Sequence, residues 1–246
     1  MTKTRIVFVH GLDGYGAGAW PRQHLMAGNY DCLFLKRTGF DAVEPPVPTD
    51  FAADARIVVD ALGDGGHLVA HDQGAITAVM AAVERPELVR SLVLVEPSLL
   101  SLTAELPAAL AYREHLEPLH ARSASMGDAA FAAEFRRLTG ALAGPSTSSA
   151  GVVGIPANTE TAARVAARIH LQAPPWKAPL HIVPGVPTLV MTGGWEPLYE
   201  EIADYLATTG ARHVITRGGH RPQDTQEGAA LITQFIADHT VSGPAA

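Results

Sequence analysis

The chain has few of the residues that mark several common classes of protein. It contains one cysteine, Cys32, so no internal disulfide can form, and the apolar neighbours of that cysteine indicate a buried side chain. Only 17% of the 246 residues are charged, and the 18 Lys and Arg residues are scattered among 25 Asp and Glu residues. The resulting net charge of −7 argues against a nucleic-acid surface, which requires clustered cations.

Other features are missing altogether. No uninterrupted apolar run reaches about 18 residues, so we expect no membrane span. Residues 1–5 lead directly into a short apolar run that ends at a His-Gly turn, which is unlike a secretion signal and favours a cytoplasmic location. No pair of histidines has convincing metal-ligand spacing, so we predict no metal and no cofactor. The sequence does not indicate an oligomeric state.

Short apolar runs alternate with segments of helical periodicity at both ends of the chain. This alternation predicts an α/β fold with a mostly parallel sheet of about six strands and helices on both faces. The predicted strands span residues 6–9, 31–36, 66–71, 89–95, 188–192 and 213–216. The predicted helices between and after them span residues 50–62, with Thr49 or Asp50 as the cap, then 75–84, 199–207 and 226–239.

The alternation breaks in the middle of the chain, where helical patterns follow one another without strands. We therefore predict a core of residues 1–97 and 180–246 and a helical cap inserted at residues 98–179. The predicted cap helices span residues 102–120, 128–142 and 159–171, and the Gly-, Ser- and Pro-rich residues 144–156 join the last two. Ala and Leu in these helices indicate an apolar pocket for a small-molecule substrate. The tail at residues 242–244 is predicted to be disordered.

The third predicted strand ends in a pattern that is typical of a nucleophile. A buried strand that turns sharply into a helix exposes the turn residue above the sheet, and the residues two positions before and after it must be small. Ala70 and Gly74 are the small residues, and Asp72 is the turn residue. A carboxylate is already ionised at neutral pH and needs no base to become nucleophilic.

Further candidates follow the other strands. His220 comes after Gly218-Gly219 at the end of the last strand and is the candidate base. Glu96 directly follows the fourth strand, where core packing does not explain a carboxylate, and it is the favoured acid partner. Glu196, after the fifth strand, is the alternative acid.

Taken in order, these motifs resemble the α/β-hydrolase fold family over nearly the whole chain. The resemblance implies the strand order 2-1-3-4-5-6, a catalytic triad, and an oxyanion hole formed by the backbone N–H groups of Leu12 and Gln73. The pair His71-Asp72 is similar to the elbow of epoxide hydrolases and haloalkane dehalogenases. Those enzymes usually have tryptophan where this chain has Gln73, and proline where it has Asp13.

The aspartate favours attack on a carbon that bears a leaving group, because attack on an ester would give an anhydride that collapses backward. We predict a hydrolase that opens an epoxide through an alkyl ester of Asp72, which water activated by His220 then hydrolyses. The alternative is a cofactor-free cyclase or lyase of secondary metabolism in which Asp72 is a base or an electrostatic group. Haloalkane dehalogenation and a non-catalytic ligand-binding role are weaker alternatives. The residues expected to contact the substrate are Asp13, Tyr112, Trp195 and Tyr199.

Overall fold

The computed structural model describes residues 3–142 and 159–240. The predictions for residues 144–156 and 242–244 lie outside these ranges. Within them, six strands form one parallel sheet in the order β2-β1-β3-β4-β5-β6, which is the order expected from the sequence. The strands are β1 (Arg5–Val9), β2 (Asp31–Phe34), β3 (Gly66–His71), β4 (Val89–Val95), β5 (Thr188–Thr192) and β6 (Arg212–Ile215).

Helices cover both faces of the sheet because alternate residues of each strand point to opposite sides. On one face, Val7 and Leu68 pack with the buried residues of α1 (Phe51–Leu62), α2 (Gly74–Glu84) and α6 (Pro197–Thr208). On the other face, Ile6, Phe8 and Val69 pack with Ile232 and Phe235 of α7 (Gln226–Asp238). The four inner strands, β1, β3, β4 and β5, are largely buried and read as apolar runs, which is why the sequence pattern identified them, whereas the edge strands β2 and β6 are only partly buried.

Three α-helices lie between β4 and β5 in the described part of the chain, and we call them the cap helices: α3 (Pro107–Ala121), α4 (Asp128–Leu142) and α5 (Thr159–His170). The predicted first cap helix began at residue 102, but α3 begins at Pro107, since proline is favoured in the first turn of a helix. Residues 102–106 form turns instead. The division of the chain into a core and a cap insertion stays a prediction.

The helix starts follow ordinary capping rules. Asp50 caps α1, and its side chain accepts a hydrogen bond from the N–H of Ala53 at 2.9 Å. Thr225 caps α7 in the same way through the N–H of Gly228. None of the helices within residues 3–142 and 159–240 has the length and apolar character that crossing a membrane would require.

Candidate active site

Asp72 lies in the sharp turn between β3 and α2. Its φ of 51° is in the left-handed region, which is uncommon for residues other than glycine and marks a turn held in place by its surroundings. The turn brings α2 so close to the end of β1 that a Cβ added at Gly74 would lie 2.5 Å from the carbonyl oxygen of His10. Ala70 is completely buried on the other side of the turn. The small residues at these two positions are therefore required by close packing, as the sequence predicted.

Two donors from different loops hold the Asp72 carboxylate. The backbone N–H of Leu12 donates to Oδ2 at 3.3 Å, and the Ser98 hydroxyl donates to Oδ1 at 2.5 Å. Gln73 follows Asp72 and starts the turn into α2, and its side-chain oxygen is buried with no hydrogen-bond partner among the described residues. The structure therefore brings Asp72 to one of the two predicted oxyanion-hole amides and adds Ser98, which the sequence analysis did not identify.

Glu96, and not Glu196, lies next to His220. The Nδ1 atom of His220 is 3.6 Å from Oε2 of Glu96, a fully buried carboxylate. Glu96 also accepts hydrogen bonds from the backbone N–H of Gly193 at 2.5 Å and from the indole N–H of Trp195 at 2.8 Å. These bonds fix the carboxylate in an orientation that can hold the imidazole.

Glu196 occupies a different place. It is the N-cap residue of α6, where one carboxylate oxygen accepts a bond from the N–H of Leu198 at 3.4 Å. Its second oxygen, Oε2, is buried without a partner in the described part of the chain. Burial, followed by the nearby charge of Glu96, raises the pKa of Glu196. The geometry therefore favours Glu96 as the acid partner of His220.

His220 is surrounded by carboxylates. Burial by itself lowers the pKa of His220, but Glu96, Asp72 and Asp13 outweigh it and raise the pKa above its usual value of 6.5. The imidazole nevertheless keeps about a quarter of its side-chain surface exposed, at 26%. A histidine in this setting can take a proton from water and stabilise the charge that it acquires.

Two phenols approach Asp72 from different elements. Tyr112 belongs to the cap helix α3 and Tyr199 to α6, and the ring of Tyr199 lies 5.4 Å from the ring of His220. Burial first, and the charge of Asp72 second, raise the pKa of both phenols above the usual value of 10. Both side chains therefore stay protonated at neutral pH and can donate hydrogen bonds near Asp72.

The carboxylate of Asp13 is turned toward the loop that carries His220. It pairs with Arg221 at 2.6 Å, and its other oxygen lies 3.7 Å from Nδ1 of His71. His71 in turn donates from Nε2 to the backbone oxygen of His220 at 2.8 Å. The pKa of His71 is lowered to about 4, chiefly by burial, so this histidine is neutral near pH 7. Asp13 and His71 thus fix the position of the His220 loop.

A narrow cavity of about 10 Å³ lies between the elbow and the cap helices. It has room for about one water molecule. Leu12 and Gln73 form its core side, and Tyr112, His120 and Gln172 are among the residues on its cap side. The pKa of His120 is lowered to about 4, chiefly by burial. Of the four residues expected to contact substrate, Tyr112 lines this cavity directly.

Trp195 supports the acid partner of His220. Its indole donates to Glu96, and its ring lies 5.8 Å from the ring of His220. Within residues 3–142 and 159–240, no group of three or more His, Cys, Asp or Glu side chains is arranged to hold a metal ion. The site therefore consists of a carboxylate at a strained turn, the backbone amide of Leu12 predicted for the oxyanion hole, a His–Glu pair and two phenols.

Comparison with known proteins identifies the family to which the fold belongs. The sequence profile of the Alpha/beta hydrolase family matches residues 6–233, which is most of the chain. No curated protein sequence matches the chain significantly.

Many solved structures share the fold at low sequence identity. NosK from Streptomyces actuosus is 20% identical with a TM-score of 0.61, and the alignment covers 96% of this chain and 99% of NosK. MenH from S. aureus is 14% identical with a TM-score of 0.65, covering 98% of this chain and 96% of MenH. A carboxylesterase structure from Nitrososphaera gargenis is 11% identical with a TM-score of 0.65, covering 97% and 91% of the two chains. At these identities the likeness supports the fold alone.

Proposed function

Since the chain belongs to the alpha/beta hydrolase family, whose members are mostly enzymes, we propose that it hydrolyses an epoxide through an alkyl ester of Asp72. The observation that carries this proposal is the position of the Asp72 carboxylate, with Oδ2 at the oxyanion amide of Leu12. In that position Oδ2 becomes the carbonyl oxygen of the ester, and Oδ1 is the atom that attacks.

In the first step, Oδ1 of Asp72 attacks an epoxide carbon while the bond from that carbon to the ring oxygen breaks. Tyr112 or Tyr199 gives its proton to the ring oxygen and becomes a phenolate. The charge of Asp72 helps to keep both phenols protonated before the reaction. Ester formation removes that charge, so the phenol pKa falls as the new bond forms and the proton transfer becomes easier.

In the second step, His220 takes a proton from water and the hydroxide adds to the carbonyl carbon of the ester. The negative charge that develops on Oδ2 is stabilised by the backbone N–H of Leu12, and we assign the same role to the N–H of Gln73. Collapse restores the carboxyl group of Asp72 and releases the second oxygen of the diol. The protons held by His220 and by this carboxyl group then return to the released oxygen and to the phenolate, which completes the cycle.

A second candidate is a cyclase or lyase in which Asp72 is a base or an electrostatic group. The hydrogen bond from Ser98 to Oδ1 favours it, because this bond occupies the oxygen that would otherwise attack. Gln73 in place of the tryptophan that usually follows the nucleophile also favours it. Haloalkane dehalogenation is a weaker proposal because Gln73 stands where the tryptophan usually follows the nucleophile. A non-catalytic binding role has no structural observation in its favour.

The test is intact-protein mass spectrometry of the His220→Gln variant after exposure to a panel of epoxides and haloalkanes. Without the base, the ester should accumulate, and peptide mapping should place the added mass on Asp72. The exposed His24→Gln variant is the matched control and should not accumulate the adduct. The double variant that also carries Asp72→Asn should remain unmodified. Failure of every epoxide to leave an adduct on Asp72 would contradict the proposal.

A further inference from the structure

Arg37 is a buried cation that has no ion-pair partner among residues 3–142 and 159–240. It follows β2, its residue exposure is 4%, and its Nε and Nη1 atoms have no hydrogen-bond partner in the part of the chain that the structure describes. Its Nη2 atom donates to two neutral acceptors, the backbone oxygen of Gly11 and Oε1 of Gln172, both at 3.3 Å. No carboxylate in the described ranges of the chain lies within 4.0 Å of the guanidinium.

The guanidinium stands directly behind the proposed catalytic residues. Gly11, which accepts one of its bonds, packs so closely on Asp72 that a Cβ at position 11 would lie 2.7 Å from the Asp72 Cβ. Gln172, which accepts the other, lines the cavity between the elbow and the cap helices. The side-chain amide of Gln172 therefore separates the guanidinium from the space where a substrate would bind.

A buried arginine cannot lose its proton at ordinary pH, so its charge has to be stabilised by neighbouring groups. The Phe40 ring, whose centroid lies 4.8 Å from Cζ, and the charges of Asp54 and Asp72 favour it, but neither carboxylate makes a direct contact. Bonds of 3.3 Å to neutral oxygens are weak, whereas a bond to a carboxylate is shorter and about twice as strong. The oxygen of Gln172 thus occupies a position that an anionic acceptor would fill better.

The positive charge of Arg37 would also favour the binding of one class of substrate, anionic molecules. Asp72, Glu96 and Glu196 surround the site and would repel any anionic molecule that approached the nucleophile. The Arg37 cation, which lies behind Gln172 of the cavity wall, would offset this repulsion for an anionic molecule, whereas a neutral molecule would gain no comparable attraction.

We propose that Arg37 is a specificity residue that binds a carboxylate group of the substrate. This carboxylate replaces Oε1 of Gln172 as the acceptor of the hydrogen bond from the guanidinium. The proposal rests on the proposed function for the identity of the reacting group, but the binding itself does not depend on it. The substrate class is then an apolar molecule that carries both a carboxylate and an epoxide.

The test compares ligands that differ only in charge. Cinnamate and cinnamamide have the same carbon skeleton and no epoxide, so their affinities, measured by isothermal titration calorimetry, report binding without reaction. We expect cinnamate to bind wild-type protein about tenfold more tightly than cinnamamide. The Arg37→Met variant should lose this preference, and Arg137→Met, which removes an arginine side chain that is 63% exposed, should keep it.

Gln172→Ala provides a second variant in case Arg37→Met does not fold. It removes the competing oxygen and keeps the cation, so the affinity for cinnamate should rise several-fold while that for cinnamamide stays the same. Equal affinities of the acid and the amide in wild-type protein would overturn the proposal, as would equal changes for both ligands in Gln172→Ala.

A reactive pair separates this inference from the proposed function. In the His220→Gln variant, 3-phenylglycidate should modify Asp72 about tenfold faster than 3-phenylglycidamide at low concentration. Cinnamate binding that depends on Arg37, without any adduct from either epoxide, would support the subsite and contradict the epoxide hydrolase. Equal rates of adduct formation that do not change in Arg37→Met would support the hydrolase and contradict the subsite.

Discussion

At the scale of single residues, the Asp72 carboxylate is shared between two donors with different consequences. The Leu12 amide bonds to the oxygen that would carry negative charge during ester hydrolysis, and Ser98 bonds to the oxygen that would attack. In the proposed mechanism the first bond would stabilise the oxyanion of the second step. The second bond occupies the attacking oxygen, so Ser98 would have to release Oδ1 before the first step.

The pH dependence of ester hydrolysis tests the role of the His–Glu pair. His220 must be neutral to take a proton from water, so the hydrolysis rate should rise with pH and level off above the pKa of His220. In the ester, Asp72 is uncharged and only Glu96 and Asp13 still raise the pKa of His220, so the midpoint should lie below the pKa of His220 in the free protein. Glu96→Gln removes one of these charges and should move the midpoint to lower pH. The measurement is the single-turnover decay of the Asp72 ester between pH 5 and 9.

Glu196→Gln is the matched control for this profile, since Glu196 caps α6 and does not contact His220. Its midpoint should equal that of the unmodified protein. If Glu96→Gln left the midpoint unchanged while Glu196→Gln moved it, the assignment of the acid partner would be reversed.

Residues whose role depends on sharp local geometry could be predicted from the sequence. Ala70 and Gly74 mark the elbow because backbone atoms leave no room for larger side chains, and that constraint is local. The positions of Ser98 and Arg37 could not be predicted in this way, because their contacts join segments that are distant in the chain. Ser98 carried one usable signal, since it comes two residues after Glu96 at the edge of the sheet where the other candidates meet.

At the scale of helices and strands, the contact between α3 and α6 shows how the cap is attached. Glu201 of α6 accepts hydrogen bonds from the backbone N–H groups of Ala108 and Ala109, in the first turn of α3. A carboxylate at this place satisfies free N–H groups and interacts favourably with the positive end of the helix dipole. The start of α3, one turn before Tyr112, is thereby fixed to the core.

We expect Glu201→Gln to weaken this attachment. Loss of the charge should lower the free energy of unfolding by about 1 kcal/mol, which chemical denaturation can measure. Hydrogen exchange should increase in α3 more than in the central strands. Glu200→Gln is not a suitable control because Glu200 bonds to Thr192, so the exposed Glu114→Gln variant in α3 serves instead and should change neither quantity.

The pattern of apolar residues predicted the strands more accurately than the first cap helix. A strand buried on both faces has a continuous apolar run with clear ends, and five of the six predicted strands match to within one residue at each end. β2 ends two residues early, at Phe34, although the N–H of Leu35 still donates to the backbone oxygen of Phe8 in β1. The segment before α3 has helix-forming residues, but it forms turns closed by local hydrogen bonds, from the N–H of Leu102 to the oxygen of Leu99 and from the N–H of Leu106 to the oxygen of Thr103.

At the scale of the whole molecule, several histidines are kept neutral by burial. The pKa of His10 is lowered to about 3, and the pKa values of His67 and His71 to about 4, with burial as the largest cause in each case. In the unfolded chain these side chains take up protons near pH 6.5. The unfolded state therefore binds more protons than the folded state below that pH, so acid should destabilise the protein well above the range where carboxylates titrate.

His67 allows this expectation to be tested away from the site. It is fully buried and bonds to the Ser91 and Thr240 hydroxyls. His67→Gln should retain a hydrogen-bonding side chain and remove the proton uptake of one unfolded histidine. The loss of unfolding free energy between pH 7 and pH 5 should then be about 2 kcal/mol smaller than in the unmodified protein. Urea titrations at the two pH values provide the measurement.

The exposed His115→Gln variant is the control for the same titrations and should reproduce the full loss. If His67→Gln lost as much free energy on acidification as the unmodified protein, burial of His67 would not be a source of the acid sensitivity.

The size of the cavity between the elbow and the cap helices has a consequence for kinetics. A space of about 10 Å³ admits one water molecule, so a substrate that binds between the elbow and the cap helices would require a conformation in which these helices have moved away from the elbow. The apparent dissociation constant is then the intrinsic one divided by the fraction of molecules in that open conformation. A substitution that favours the open conformation would tighten substrate binding without touching the substrate, and turnover limited by opening would slow as solvent viscosity rises.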